Sequence, residues 1–160
     1  MKIKFRLKSA AMLLCMALLL SFTGCGGEQA MAPPDFSVIG MAAADGTEGK
    51  ISYSTFEYEN PEALKGMVIT EEGGIISAEF SGITKTSDKF PQILDFGGSK
   101  ILLLLRELEN TPMNLTSVTE GKAMYSASTS QGDFTVIAES SGRVTYIKNE
   151  TTGFTVKFTY

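Results

Sequence analysis

The chain has 160 residues, with 14 Lys and Arg against 18 Asp and Glu, two cysteines and no histidine. The missing histidine excludes Ser-His-Asp, Cys-His and HExxH chemistry, because each needs an imidazole as base or metal ligand. The acidic balance argues against a nucleic-acid partner, since phosphate binding depends on Lys and Arg. We therefore expect no enzyme, no catalytic residue, no metal site and no cofactor.

The first 24 residues have the organisation of an export signal. Residues 2–8 carry four basic and no acidic side chains, and an apolar run follows at 10–20. That run is too short for a membrane-spanning helix, which needs about 20 residues. Charge, apolar core and the small residues that follow predict a signal peptide over 1–24, cleaved before Cys25.

The cleavage region reads Ser21-Phe22-Thr23-Gly24-Cys25. It resembles the lipobox of bacterial lipoproteins, with a small residue before the cysteine, although Phe22 departs from the commoner Leu. The resemblance implies that Cys25 is lipidated and holds the chain on the outer face of the cytoplasmic membrane of a Gram-positive organism. Two or three acyl tails such as palmitate make such an anchor effectively permanent. The alternatives are an ordinary secretory signal with a chance cysteine, or a short membrane anchor.

The segment after Cys25 has the composition of a linker. Residues 26–34 contain two Gly and two Pro and no β-branched residue, so they bury little apolar surface. We expect a flexible tether over 25–35 and a single domain over 36–160. Removing four basic residues with the signal leaves 10 basic against 18 acidic side chains, a net charge of −8.

Period-two alternation then predicts β-strands in the first half of the domain. Pro61 with the three residues after it indicates one helical turn, and 71–74 has the acidic, Gly-rich composition of a tight hairpin. The predicted strands are 36–43, 49–58, 66–71 and 74–80.

One segment has helical periodicity instead. Ser99–Glu109 places Ile101, Leu104, Leu105 and Leu108 on one stripe of an α-helix. Ser99 is a candidate N-cap, and the sequence Asn-Thr-Pro at 110–112 ends the helix. A fully buried strand is the competing interpretation.

Alternation resumes after the helix. The predicted strands are 115–119, 121–128, 132–139, 143–148 and 153–159. The fold class is therefore mainly β (α+β), with about nine antiparallel strands and one central helix packed in the concave face of an incomplete barrel.

Three stretches carry a further resemblance: Phe56–Pro61, Leu64–Thr70 and Gly73–Ile76. With the strand pattern and lipobox they resemble LolA/LolB-type half-barrel envelope lipoproteins, and more closely small uncharacterised lipoproteins of clostridial-type bacteria. The resemblance implies a half-barrel whose inner face holds an apolar ligand. It carries over no functional residue.

The polar residues that could act as catalytic groups do not form a recognisable catalytic arrangement. Strand alternation places Glu57 and Glu59 on one face, and Glu79 lies on another strand, but a solvated edge explains all three. Ser87 and Lys89 flank Asp88 in a loop, where a lysine is normally solvated.

The apolar residues are more informative. Leu104, Leu105 and Leu108, with the strand residues Phe134 and Phe158, are the candidate ligand-binding residues, and a well-filled core is the alternative. The sequence predicts a non-catalytic lipoprotein that binds or shields an apolar envelope molecule, such as a lipid. The alternative is a structural or regulatory adaptor with a solid core and a protein partner.

Overall fold

The computed structural model describes residues 31–87 and 97–160. The predicted signal peptide, Cys25, and the Asp88 and Lys89 positions lie outside the described residues. The described chain forms one α-helix, α1 (Gly97–Glu109), one 3₁₀ turn (Glu62–Leu64) and eleven strands. The strands are β1 (Ile39–Ala44), β2 (Thr47–Ser52), β3 (Thr55–Asn60), β4 (Val68–Glu72), β5 (Ile75–Phe80), β6 (Ile83–Ser87), β7 (Asn114–Thr119), β8 (Lys122–Thr129), β9 (Gly132–Glu139), β10 (Val144–Asn149) and β11 (Thr155–Thr159).

All eleven strands belong to one open sheet, and every pairing between them is antiparallel. Strands β1–β6 form one meander and β7–β11 a second. The two meanders join where β1 pairs with β11, with Met41 opposite Thr159. Strands β6 and β7 are therefore the sheet's two edges, and α1 lies between them in the chain.

The mainly β fold with one helix is confirmed, but the strand number is eleven and not nine. The stretch predicted as one strand at 49–58 is the hairpin β2–β3, which turns at Tyr53 and Ser54. This turn has none of the Gly, Asn, Asp or Pro residues that mark turns in a sequence. Strand β6 was missed because its residues, apart from Ile83, are polar and show no buried face.

The helix is confirmed over its whole predicted length and is two residues longer, which excludes the buried-strand interpretation. It ends at Glu109, as the Asn-Thr-Pro sequence indicated, but begins at Gly97. Ser99 therefore lies inside the first turn, buried against the sheet, so its assignment as N-cap was wrong. Leu102 is also buried, so the helix packs on more than one stripe.

Helix α1 covers one face of the sheet, which we call the helix face. It contacts β2, β3 and β4 from one meander and β8 from the other. Strand residues on the helix face, such as Phe56 and Val136, are fully buried, while the opposite or outer face carries Lys50 and Lys157. The core cluster extends from Val38 to Phe158, so a chain that starts at residue 25 contains all of it.

The N-terminal end of the described chain is bound to the sheet. Ala32 donates a backbone hydrogen bond to Ser140 O at 3.1 Å, and Asp35 donates one to Gly142 O at 2.8 Å. Residues 31–35 were assigned to the tether from composition. Their backbone is nevertheless held at the β9–β10 turn.

Candidate functional site

The five candidate ligand-binding residues lie in one core cluster but do not line one cavity. Leu104, Leu105, Leu108, Phe134 and Phe158 are each between 0% and 6% exposed. Leu104 and Phe134 line a cleft of about 180 Å³, Leu105 lines one of about 220 Å³, and Leu108 lines one of about 380 Å³. Side chains of α1 therefore fill the space between the helix and the sheet, and clefts remain along the sides of the helix.

At its N-terminal end, the backbone of α1 lies in close contact with the sheet, beside a separate cleft of about 350 Å³ that Gly97, Lys100 and Phe154 help to line. Gly98 N donates to the Tyr58 hydroxyl at 3.0 Å, and a Cβ added to Gly98 would lie 2.5 Å from Phe56 Cδ1. A Cβ on Gly97 would lie 2.7 Å from Thr47 Oγ1. Burial raises the pKa of Tyr58, while the hydrogen bond from Gly98 opposes that rise. Only glycine allows this close approach.

Toward its C-terminal end, α1 is bordered by an open groove. Two clefts, of about 220 and 380 Å³, share Phe36 and Glu109 in their walls. We call these two adjoining clefts the groove. Its apolar wall consists of Phe36, Leu102, Leu105, Leu108, Met113 and Tyr125.

One end of the groove is charged, and we call it the mouth; it is formed by Tyr53, Glu71, Arg106 and Glu109. Arg106 forms an ion pair with Glu71, whose side chain is only 9% exposed, while that of Arg106 is 42% exposed. Glu71 Oε1 also accepts a bond from Gly74 N at 2.7 Å. These contacts satisfy the buried carboxylate. Among residues 31–87 and 97–160, the Glu109 carboxylate has no hydrogen bond or ion pair, and the Arg106 guanidinium has no partner other than Glu71.

Tyr53 at the mouth has an unusual backbone. Its φ is +50°, a left-handed conformation that is a real outlier for a bulky residue, yet its side chain is 63% exposed. The other described non-glycine residues with positive φ are each followed by glycine in a two-residue turn, whereas Tyr53 is followed by Ser54. They are Asp45, Ser81 and Glu120.

Sequence reasoning missed the polar part of this site. The 71–74 stretch was interpreted as an acidic turn, although strand alternation places Glu71 on the same face as Ile69, which is fully buried. That alternation was the available signal for a buried carboxylate. Arg106 gave no signal, because its partner lies 35 residues away in the chain.

The carboxylates considered for chemistry lie on the outer face or in solvent. Lys50 Nζ is 2.7 Å from Glu59 Oε1, and this ion pair lowers the pKa of Glu59 and raises that of Lys50. The side chain of Lys50 is 60% exposed and that of Glu59 33% exposed, so the pair is a surface contact. Within the described ranges, no group of three Asp, Glu, His or Cys residues is arranged to hold a metal ion, and no helix has the length and apolarity to cross a membrane.

Compared with protein-family models, curated proteins and solved structures, the chain matches none.

Proposed function

We propose that this protein is a lipid-anchored, extracytoplasmic lipoprotein that carries out no reaction and binds an apolar envelope ligand in the groove. The observation that carries the proposal is the pair of adjoining clefts along the C-terminal half of α1. Their walls combine leucine, phenylalanine and methionine with polar groups, which are most numerous at the mouth and include Asp35 and Thr111 in the second cleft. Apolar walls with placed polar groups are typical of small-molecule sites. Leu105 and Leu108 contribute directly to those walls.

We further propose that the sheet is an incomplete barrel plugged by α1, as in the LolA/LolB-type lipoproteins it resembles. A single antiparallel sheet of eleven strands with a helix on one face supports this architecture. In such an arrangement the ligand lies beside the helix, between the two meanders.

The groove's position suits a ligand drawn from the membrane. Pro33 and Pro34, at the start of the fold, line the groove. Cys25 precedes Pro33 by eight residues, which span at most about 28 Å when fully extended. If Cys25 carries the lipid, the groove is held close to the bilayer surface. Cys25→Ser should release the protein from membranes, and continued retention would refute the lipid anchor.

The ligand proposal is tested by native mass spectrometry of a chain that starts at residue 25 and carries Cys25→Ser. We expect a co-purifying lipid, or uptake of one added fluorescent phosphatidylethanolamine per chain. Ser37, exposed at the groove, and Ser52, exposed on the outer face of β2, offer a matched pair. Ser37→Trp should block uptake by filling the groove, and Ser52→Trp should leave it unchanged. Ligand-free protein with no uptake would overturn the proposal.

A second candidate is an adaptor that binds a protein partner. The closed packing at Gly98 favours it, because a solid core needs no ligand. Exposed apolar residues also remain on the helix face at both sheet edges, as the cross-strand pair Phe80 and Ile83 and as Leu115 and Val118. Absence of lipid, with equal behaviour of both tryptophan variants, would favour the adaptor.

A further inference from the structure

We propose that the mouth binds the charged end of the ligand, a group in which an anion and an ammonium lie close together. A free amino acid with an apolar side chain and a phosphoethanolamine lipid head both have this chemistry. This inference rests on the proposed function only where it takes the ligand to be a membrane lipid. The preference for a zwitterion follows from the charged side chains of the mouth.

The anion partner is Arg106. A guanidinium presents five N–H donors in a fixed fork, and the Glu71 contact engages one edge of it. The side chain of Arg106 is 42% exposed, so its remaining donors face the groove and solvent. Glu71 holds the guanidinium in place from beneath, which reduces the entropy lost when a carboxylate or phosphate binds.

The ammonium partner is Glu109, one helical turn beyond Arg106. Its carboxylate lines both clefts and has no partner among the residues that the structure describes. Phe36 and Tyr53 lie in the same wall, and aromatic faces attract ammonium groups. An ammonium at this position therefore meets one charge and two aromatic rings.

The net charge of the mouth selects a zwitterion over a simple ion. Glu71 and Arg106 neutralise each other, which leaves the single negative charge of Glu109. A lone anion is repelled by Glu109, and a lone cation leaves the spare Arg106 donors without an acceptor. Only a molecule with both charges satisfies both side chains.

Tyr53 provides an independent reason to assign a function to the mouth. Holding a bulky residue at φ +50° costs about 1–3 kcal/mol. A ring that is 63% exposed recovers little of this through burial in the free protein. The two-residue β2–β3 turn itself requires the positive φ, and the choice of tyrosine there in place of glycine is explained if the exposed ring contacts a bound ligand.

The test uses the chain from residue 25 with Cys25→Ser, which contains the whole core. Calorimetry would compare L-phenylalanine with N-acetyl-L-phenylalanine, which lacks the ammonium, and with L-phenylalaninamide, which lacks the carboxylate. We expect each blocked form to bind about fivefold more weakly, the size of an exposed ion pair. Phosphoethanolamine is the second probe, and tighter binding of one probe identifies the lipid head or the free amino acid as the source.

Variants separate a binding role from a structural one. Glu109→Gln should weaken L-phenylalanine about fivefold and tighten the N-acetyl form, because the carboxylate that repels a lone anion is gone. Glu72→Gln, exposed at the end of β4, should change neither. Tyr53→Gly should weaken binding while leaving the thermal midpoint equal or higher, because glycine relieves the positive φ.

Equal binding of all three phenylalanine forms, or no binding of either probe, would overturn the inference. Fluorescent-lipid uptake without zwitterion binding leaves the proposed function standing and removes this inference. Zwitterion binding without lipid uptake would support this inference and contradict the proposed lipid-binding function.

Discussion

The two ends of helix α1 meet the sheet in opposite ways. At the N-terminal end, Gly98 lies so close to Phe56 and Tyr58 that a single methyl group would clash. Toward the C-terminal end, Leu105 and Leu108 border open clefts, and Arg106 extends into one of them. The helix thus contacts the sheet through its backbone at one end and borders the groove with leucine side chains at the other, while a separate cleft of about 350 Å³ lies beside Gly97 and Lys100. Space for a ligand depends on where along the helix the packing opens.

The largest expected effect compares truncations at the two ends. Ile101→Ala should lower the free energy of unfolding by about 4 kcal/mol and Leu105→Ala by about 2 kcal/mol. Ile101 is fully buried in closed packing, whereas removing Leu105 enlarges a cleft that solvent already reaches. Urea denaturation of both variants measures the difference. Equal losses of unfolding free energy in the two variants would show that the two ends of the helix are equally well packed.

Closed packing at the N-terminal end is tested by Gly98→Ala. Helix propensity alone would make this change stabilising by about 1 kcal/mol, but the clash with Phe56 should make it destabilising by about 2 kcal/mol. Gly46→Ala is the control, since Gly46 has a positive φ and no atom near its missing Cβ. It should cost about 1 kcal/mol from backbone strain alone. A stabilising Gly98→Ala would contradict the close contact.

The polar support of the groove is tested by Glu71→Gln. Losing the ion pair with half-exposed Arg106 should cost about 1 kcal/mol, at the lower end for a charged hydrogen bond. The neighbouring Glu72→Gln should stay within about 0.5 kcal/mol, because Glu72 is exposed. Thermal or urea denaturation measures the change in unfolding free energy for both variants. Equally small changes would show that the Glu71–Arg106 ion pair does not stabilise the fold.

The smallest effect is a loss of stability at alkaline pH. Burial raises the pKa of Tyr160 from 10.0 to about 12, and its hydroxyl donates to Val144 O at 2.5 Å. The unfolded chain therefore ionises this group first, so its contribution to stability is full below pH 10 and is lost as pH rises toward 12. Tyr160→Phe should remove part of that decline, by less than about 1 kcal/mol because the ring is half exposed. If Tyr160→Phe loses as much stability between pH 10 and 12 as the unsubstituted protein, ionisation of Tyr160 does not cause the loss.

Local periodicity was enough to predict most of the fold. The helix followed from the leucine stripe at 101–108, and the final meander followed from alternation and turn composition. The β2–β3 turn was missed because Tyr53 is typical of strands and Ser54 alone is a weak turn signal. Strand β6 was missed because an edge strand needs no apolar face.

Of the five candidate ligand-binding residues named from the sequence, only Leu105 and Leu108 line the groove. Leu104, Leu105 and Leu108 were placed correctly in the core, because a stripe identifies the buried face of a helix. The leucine stripe does not predict which part of the buried face borders an open cleft. The Glu71–Arg106 contact and the adjacency of Phe36 to Glu109 depend on pairings between distant segments, so no local pattern encodes them.

The most direct measurement is methyl NMR of the Cys25→Ser chain from residue 25 with a phosphatidylethanolamine, recording NOEs between its acyl chains and the protein methyl groups. Binding in the groove should give NOEs to the methyl groups of Leu105, Leu108 and Met113 and none to those of Ile101 and Ile51. NOEs to Ile101 and Ile51 instead, or none at saturating lipid, would contradict a ligand groove at the C-terminal end of the helix.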